Sequence, residues 1–291
     1  MSKRGSASKV SLTRFDDLFG STEGSAGAEQ IINAKLDELH PFKDHPFRVL
    51  DDEKMEETAE SIKQYGVLVP GIVRQRAEGG YEIIAGHRRK RGCELAGLDS
   101  MPVIARNYTD DEATIIMVDS NIQREDILPS EKAKAYAMKY EAMKHQGSRG
   151  GSTLDEVGEA AGDSRKTVQR YVWLARLIPG LLEMVDAKRI GISQGAEISF
   201  LSAEAQEWVL TVVRETGVSV SNVQAAKLKE YGKTGELNPG MVRLMLAEEK
   251  PKERKVTIKS DRINRYFSPE YSSNDIEGII IQLLEEWKAR Q

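Results

Sequence analysis

A run of basic residues behind a glycine offers the clearest chemistry in this sequence. Gly86 follows the β-rich residues Tyr81–Ala85, and residues 88–91 at the start of an expected helix are all basic. A glycine lets the backbone approach a ligand closely, and a helix start presents free N–H groups to an anion. Arginine adds a fork of donors that fits phosphate oxygens. The same run would also fit the solvated face of a basic helix, so the rest of the sequence is needed to choose between an anion site and a plain surface.

A second basic segment has the pattern of a helix-turn-helix over Leu154–Leu174. Gly162 supplies the turn, Ser164 caps the second helix, and Val168 lies on its core face. The residues expected to point outward are Arg165, Lys166, Thr167, Gln169 and Arg170. Arg and Gln pair with base edges in the major groove, while Ser, Lys and Thr hold phosphates, so Ser164 and these five are the candidate DNA-binding residues. Asp163 argues the other way, because its carboxylate is expected near phosphates.

Composition narrows the class of protein. The 291 residues include 42 basic and 46 acidic side chains, for a net charge of −4, so total charge does not indicate nucleic-acid binding. Locally basic patches instead fit a protein that meets phosphates at chosen places. One cysteine, Cys93, rules out an internal disulfide framework and a cysteine-based zinc site. With no apolar run of membrane-span length and no apolar secretory signal, we expect a cytoplasmic protein without an integral membrane segment.

Helix and strand signals divide the chain into five segments. The expected segments are a flexible tail (1–28), a mixed domain (29–125), a helical domain (126–232), a linker (233–254) and a C-terminal segment (255–291). The last segment combines a short strand, Val256–Ile258, with an apolar helix. The expected fold class is α+β in the N-terminal domain, all-α in the helix-turn-helix domain and a small α/β segment at the C-terminus.

Local signals place the candidate residues on these elements. Asp51 or Asp52 is expected to cap a helix ending at Gly66, and Val67–Gln75 is expected to pair with Tyr81–Ala85 as a hairpin. Residues 109–112 have the Thr-x-x-Glu pattern of a capping box, which predicts a helix to about residue 119.

The order of these signals resembles the ParB partition proteins, which segregate chromosomes and plasmids. Residues 60–70 are similar to the family's helix followed by Gly-(Val/Ile)-Leu-x-Pro, residues 86–91 to its Gly-Glu-Arg-Arg-x-Arg, and residues 121–126 to its Glu-Asn-x-Gln-Arg-x-Asp-Leu. The resemblance covers about residues 31–230. It implies a CTP-binding first domain, a helix-turn-helix that binds a centromere-like site, and a dimer that closes into a sliding clamp with CTP and reopens on hydrolysis.

Carried over by position, the resemblance assigns a CTP-binding set. Its members are Arg48, Gly66, Pro70, Gly86, His87, Arg88, Arg89, Asn121, Gln123 and Arg124. Asn121 would help hold the triphosphate and a Mg²⁺ ion, while Gln123 and Arg124 would support the closed state.

Two positions depart from the family pattern, which has Glu at both. This chain has His87 and Ser120 there, and neither replaces a carboxylate as a ligand for a hard cation such as Mg²⁺. We therefore expect CTP to bind while hydrolysis is slow, metal-poor or absent, which leaves no assigned catalytic residue. Ser120 is equally compatible with a plain helix-end cap.

The resemblance also implies the partners. These are double-stranded DNA, a second copy of the chain, and a ParA-type ATPase that would dock on the N-terminal tail, with the protein located on a nucleoid or plasmid. The apolar helix within residues 255–291 would dimerise, or would pack on its own strand as a small core. The apolar residues within 12–19 fit a partner-binding or membrane-touching helix, and equally a clip on the chain's own domain.

Two other functions compete with a CTP-gated clamp. One is a helix-turn-helix transcription regulator or nucleoid adaptor without nucleotide control, which the changes at His87 and Ser120 keep open. The other is a sulfiredoxin-like enzyme, which is disfavoured because that chemistry needs cysteine in a Gly-Cys-His-Arg stretch. Cys93 lies too far along the helix from His87 to take that place.

Overall fold

The computed structural model describes residues 31–124, 126–146, 153–247, 260–268 and 270–290. The chain forms two units, Met1–Ala247 and Glu248–Gln291. The expected tail, the apolar stretch within residues 12–19 and the strand Val256–Ile258 lie outside the described residues. No helix in the described ranges is long and apolar enough to cross a membrane.

A five-stranded sheet with the order β1-β5-β3-β4-β2 organises the first part of the larger unit. Its strands are β1 (Ile31–Lys35), β2 (Leu39–His40), β3 (Gly71–Gln75), β4 (Tyr81–Ala85) and β5 (Ser100–Ala105). β3 and β4 form the expected antiparallel hairpin, and Gly79 and Gly80 in its turn both have positive φ. β3 also pairs in parallel with β5 and is therefore the central strand of the sheet. β4, which leads to Gly86, pairs with this central strand.

Two helices, α1 (Glu53–Tyr65) and α2 (His87–Leu95), pack together beside this sheet. The Asp52 carboxylate accepts a hydrogen bond from the Met55 N–H at 2.9 Å and so caps α1, as predicted. Cys93 is fully buried in the core with Val73 and Ile83, where it packs as a small apolar residue.

The strand predicted over Val67–Gln75 is shorter than expected, because it begins only at Gly71. Gly66 ends α1 with a φ of 73°. The carbonyls of Val69 and Pro70 accept hydrogen bonds from Arg89, and Pro70 has no N–H to donate to a ladder. Residues 67–70 therefore lie outside the sheet and hold a side chain of α2.

The described residues of the larger unit form nine further α-helices. They are α3 (Asp110–Asp119), α4 (Pro129–His145), α5 (Thr153–Glu159), α6 (Arg165–Leu174), α7 (Pro179–Asp186), α8 (Ile192–Ile198), α9 (Ala203–Thr216), α10 (Asn222–Thr234) and α11 (Pro239–Ala247). The capping box of α3 is present, since Thr109 and Glu112 bond to each other's backbone N–H. One core joins α3 and α4 to the helix-turn-helix formed by α5 and α6, and another core lies among α7–α11. The α+β domain followed by helices agrees with the expected fold class.

The expected linker over residues 233–254 is interrupted by α11. Val242 and Leu246 of this helix are buried against α9 and α10, and Asn238 caps it by accepting from the Met241 N–H at 3.0 Å. The Pro and Gly residues that suggested a linker open this helix, where Pro is well tolerated. The helical core therefore extends to Ala247.

The smaller unit contains α12 (Ser260–Ile263) and α13 (Ser273–Ala289). No residue of α13 is buried, and Leu283, Leu284 and Trp287 are each more than half exposed. Large apolar side chains in such numbers on one short helix are typical of an interface. Dimerisation through this helix stays a prediction.

Candidate functional site

A glycine cradle lies where β4 passes into α2. Gly86 is the N-cap of α2 and has a φ of 119°, which side-chain-bearing residues rarely adopt. A Cβ at this position would lie 3.2 Å from the Cα of Gly71, so two backbones meet closely here. The cap makes no side-chain hydrogen bond to the first turn. The N-terminus of α2 therefore keeps backbone N–H donors for a ligand.

A cavity of about 360 Å³ opens in front of this cradle. It is lined by His45, Val49, Ala85, Gly86, His87, Arg88, Arg89, Ser120, Asn121 and Arg124. Six members of the predicted CTP-binding set thus meet in one place, although they come from two stretches separated by about 30 residues. A second cavity of about 350 Å³ adjoins the first through Arg88 and Arg124, and Arg48 lies on its wall.

Internal partners hold three of the arginines. Arg89 donates through Nη1 to the carbonyls of Val69 at 2.7 Å and Pro70 at 2.5 Å, and burial lowers the pKa of its guanidinium. Arg88 lies 3.4 Å from Asp52, and Arg48 donates through Nε to Glu131 at 3.1 Å.

Arg124 differs, because its guanidinium has no hydrogen bond or ion pair to a residue within the described ranges. It lines both cavities and is thus the cation most available to an added anion.

Two stacked imidazoles form one wall of the first cavity. The rings of His45 and His87 have centroids 3.8 Å apart, and His87 Nε2 accepts the Phe42 N–H at 3.2 Å. Burial, helped by His45 and Lys90, lowers the pKa of His87 to about 3, and burial also lowers the pKa of His45. Both rings are therefore neutral at pH 7. His45 Nδ1 donates to the Phe47 carbonyl, whereas its buried Nε2 has no partner among the described residues.

Ser120 and Asn121 follow the end of α3. Ser120 Oγ and Asn121 Nδ2 both donate to the Met117 carbonyl, at 3.0 and 2.9 Å, so Ser120 acts as a helix-end residue. The preceding Asp119 turns away from the cavity and binds Lys139 Nζ at 2.5 Å, and burial raises its pKa. The side-chain oxygen atoms that these two residues leave beside the cradle are a hydroxyl oxygen and an amide oxygen.

This donor set does not fit a dedicated Mg²⁺ site. The described lining of the first cavity contains no carboxylate, which is the ligand that hard cations prefer. In the second cavity Asp52, Asp126 and Glu131 are paired with Arg88, Lys54 and Arg48. The described ranges hold no cluster of three or more metal-binding side chains. A polyanion, by contrast, fits the glycine cradle and the arginines.

Three predicted residues lie apart from these cavities. Gly66 caps α1 and does not line either cavity, and Pro70 acts only through its carbonyl, which holds Arg89. Gln123 points the other way, since its Nε2 donates to the Ala160 carbonyl at 2.9 Å, at the turn of the helix-turn-helix.

The helix-turn-helix is built as its sequence predicts. Gly162 in the turn has a φ of 68°, and Ser164 caps α6 by accepting from the Thr167 N–H at 3.3 Å. A Cβ on Gly158 would lie 2.4 Å from the Asp163 carbonyl oxygen, so glycine there lets the two helices meet. Val168 is fully buried.

The basic residues of α6 face solvent. Arg165, Lys166 and Arg170 are exposed and have no ion pair to any residue the structure describes, while Thr167 and Gln169 are half-buried. The hydroxyl of Ser164 lies 2.9 Å from that of Thr167, so these two candidates first stabilise the helix start.

Asp163 does not face outward, contrary to expectation. Its carboxylate lies 2.5 Å from Lys132 Nζ and accepts a hydrogen bond of 2.5 Å from the Tyr136 hydroxyl, both on α4. Burial, with Asp163 nearby, raises the pKa of Tyr136. The sequence could not show this, because the partners lie about 30 residues before Asp163.

The sequence analysis does not identify two residues that line the cavities, His45 in the first and Glu131 in the second. His45 carried no motif that marked it. Glu131 carried one, because it is the third residue of α4 and accepts the Leu128 N–H at 3.1 Å. That signal indicates only a helix cap. In the structure Glu131 also accepts the Arg48 N–H at 2.9 Å, and this bond connects the second cavity to α4.

The chain is similar to several known proteins. The family model of the ParB N-terminal domain matches residues 20–122. The chromosome-partitioning protein Spo0J of Thermus thermophilus is 32% identical over 197 residues, covering 68% of this chain and 70% of that protein. The chromosome 1-partitioning protein ParB of Deinococcus radiodurans, described as probable, is 32% identical over 230 residues, 77% of each chain. A crystal structure of C-terminally truncated ParB from Caulobacter crescentus complexed to the centromeric parS site covers 68% of this chain and 98% of that one, with 23% identity and a TM-score of 0.42.

Proposed function

This chain belongs to the ParB family of chromosome-partitioning proteins, and on that premise we propose that it is a sequence-specific DNA-binding partition protein acting as a CTP-gated dimeric clamp. The observation that carries the nucleotide part is the single cavity that joins Gly86, Arg88, Arg89, Asn121 and Arg124. The protein acts on a chromosome, plasmid or mobile element, and works at the nucleoid or plasmid in the cytoplasm. A ParA-type ATPase bound to the tail is part of the same proposal.

The residues of the cavity divide the work of holding a nucleotide. The backbone N–H groups after Gly86 receive phosphate oxygens, and the fixed guanidinium of Arg89 prevents the loop at Pro70 from moving away. Arg88 and Arg124 supply charge from either side. The His87 imidazole is neutral and accepts the Phe42 N–H, so it holds the base of the cradle without adding charge there.

Nucleotide and DNA surfaces share one short segment, residues 119–124. Asn121 and Arg124 line the cavity, whereas Asp119 binds Lys139 of α4 and Gln123 binds the turn beside α6. A ligand that displaces Asn121 or Arg124 on the cavity side must therefore also displace the contacts that Asp119 and Gln123 make on the other side. This gives the proposed gate a physical route through packed groups.

Hydrolysis is expected to be slow, because neither His87 nor Ser120 offers a carboxylate for Mg²⁺ or for water activation. CTP binding should therefore persist in EDTA within about threefold, since the side chains supply little of any metal's coordination. Ser120→Glu is expected to raise Mg²⁺-dependent CTP turnover, with Ser120→Ala as the control. Equal turnover in both variants and the original chain, at the rate of an efficient hydrolase, would contradict this part.

The decisive experiment is calorimetry with CTP, ATP, GTP and UTP, with and without a duplex selected from a random library. We expect CTP to bind most tightly and Arg124→Ala to weaken that binding about 100-fold, as for loss of one charge-assisted contact in a partly buried site. Arg243→Ala, whose arginine pairs with Glu215 on α9, is the matched control and should change nothing.

The competing function is a DNA-binding regulator without nucleotide control, which the missing carboxylates favour. It predicts a selected duplex that binds tightly and no heat with any nucleotide. That outcome would leave the helix-turn-helix part of the proposal and remove the gate.

A further inference from the structure

An acidic residue stands at a place where DNA binding should disfavour it. Asp163 directly precedes Ser164, the cap of α6, and the first residues of a recognition helix approach the duplex most closely. A free carboxylate there would repel phosphates and weaken binding.

The structure shows how this charge is held. Lys132 Nζ lies 2.5 Å from the Asp163 carboxylate, and both side chains are only 21% exposed. The same ammonium lies 5.4 Å from the ring centroid of Tyr136 and 5.2 Å from that of Tyr171. The Tyr136 hydroxyl donates to the carboxylate from α4 as well. Partial burial between two rings makes this pair stronger than an exposed one.

We propose that Lys132 is a positioning residue for DNA binding: it neutralises Asp163, turns it inward, and thereby fixes the start of α6 against the duplex. This inference rests on the proposed DNA-binding function. It assigns to α4 a role in DNA affinity without any contact between Lys132 and DNA.

The test uses four variants of the full chain: Lys132→Met, Asp163→Asn, the double variant, and Lys132→Arg. The probe is a labelled 40-base-pair duplex of random sequence, titrated at low and high NaCl. Lys132→Met should weaken binding about tenfold at low salt and less at high salt, because the Asp163 charge is then no longer neutralised and its repulsion of phosphates is screened by ions. The double variant, which has no carboxylate, should return to within about threefold of the original chain. Lys132→Arg should bind normally.

Lys144→Met, which removes one charge from the exposed end of the same helix, is the control and should bind like the original chain. Thermal unfolding of each variant shows whether α4 remains folded. A double variant as weak as Lys132→Met, or the same loss at all salt concentrations, would reduce the pair to a packing role and overturn the inference. A folded original chain that binds neither the random duplex nor any selected one would instead overturn the proposed function itself.

Discussion

Around the two cavities, Arg48, Arg88 and Arg89 are bound to acceptors of the protein itself, whereas the basic residues of α6 face water and have no such partner within the described ranges. The first arrangement fixes direction, so a bound phosphate meets donors already in place and little side-chain entropy is lost. The second arrangement keeps full charge for long-range attraction and lets side chains adapt to a groove. Basic residues can therefore form two kinds of anion site in one molecule: a selective site where partners fix them, and a surface for long-range attraction where they are free in water.

Salt should separate the two surfaces most clearly. If about six phosphates are neutralised per half-site, DNA affinity should fall about 1,000-fold between about 50 and 200 mM NaCl. CTP affinity should fall less than about tenfold over that range, because partly buried pairs are screened weakly. Fluorescence titration of DNA and calorimetry of CTP in the same buffers measure both slopes. Equal slopes would remove the distinction.

Arg89 and Arg124 offer the sharpest test inside the cavity. Arg89→Ala should lower CTP affinity about 100-fold and also lower the unfolding temperature, because the carbonyls of Val69 and Pro70 lose their donor. Arg124→Ala should lower affinity similarly with little change in stability, since its guanidinium makes no hydrogen bond or ion pair within the described ranges. Calorimetry and thermal unfolding distinguish these outcomes. Unchanged stability in Arg89→Ala would show that its internal partners contribute little.

On α6, Arg170→Ala should reduce affinity for a selected duplex about 10- to 100-fold, and affinity for a random duplex much less, if Arg170 reads a base edge. Competition titrations with both duplexes measure the ratio. Glu141→Gln, on the exposed end of α4, serves as a control for surface changes. Equal losses on both duplexes would assign Arg170 to phosphate contact.

Acid should affect the cavity through His87. Its pKa is about 3 in the folded chain and near 6.5 when unfolded, so the unfolded chain takes up the proton first. The stability contributed by the neutral ring is complete above about pH 6.5 and is lost progressively as pH falls toward 3. His87→Gln should flatten this loss, as measured by denaturant midpoints across pH, while Arg170→Ala should leave it unchanged. An identical acid slope in His87→Gln would contradict the assignment.

The smallest change in affinity is expected for Gln123→Ala. DNA and CTP should each bind within about threefold of the original chain when measured alone, because Gln123 lies outside the cavity. The effect of CTP on DNA affinity should shrink, since the contact with Ala160 that joins the two surfaces is lost. A full thermodynamic cycle with both ligands measures this coupling. An unchanged cycle would mean that the surfaces communicate elsewhere.

Local chemistry explains what the sequence could predict. The capping residues Asp52 and Thr109 define helix starts through their own neighbours, and the ordered motifs include Gly86, Asn121 and Arg124, which line one cavity. These features depend on residues close in sequence, or on a family pattern that already encodes the fold.

What the sequence could not predict depends on distant partners. Asp163 turns inward because it pairs with Lys132. Gln123 lies outside the cavity because it donates to the carbonyl of Ala160, 37 residues later. The Pro and Gly at the start of α11 locally indicate a linker, whereas the burial of Val242 depends on the distant core of α9 and α10. The local sequence pattern thus predicts which helix or strand forms, whereas the direction of each side chain depends on packing against distant residues.

The two-sided arrangement of residues 119–124 also limits how this stretch can evolve. One residue inserted between Ile122 and Gln123 would bring the glutamine amide to the place of the guanidinium and carry Arg124 out of reach of the cradle. Single substitutions can be tolerated and later reversed, but a change of length would damage both recognition events at once. The number of residues in this turn is therefore expected to drift more slowly than their identities.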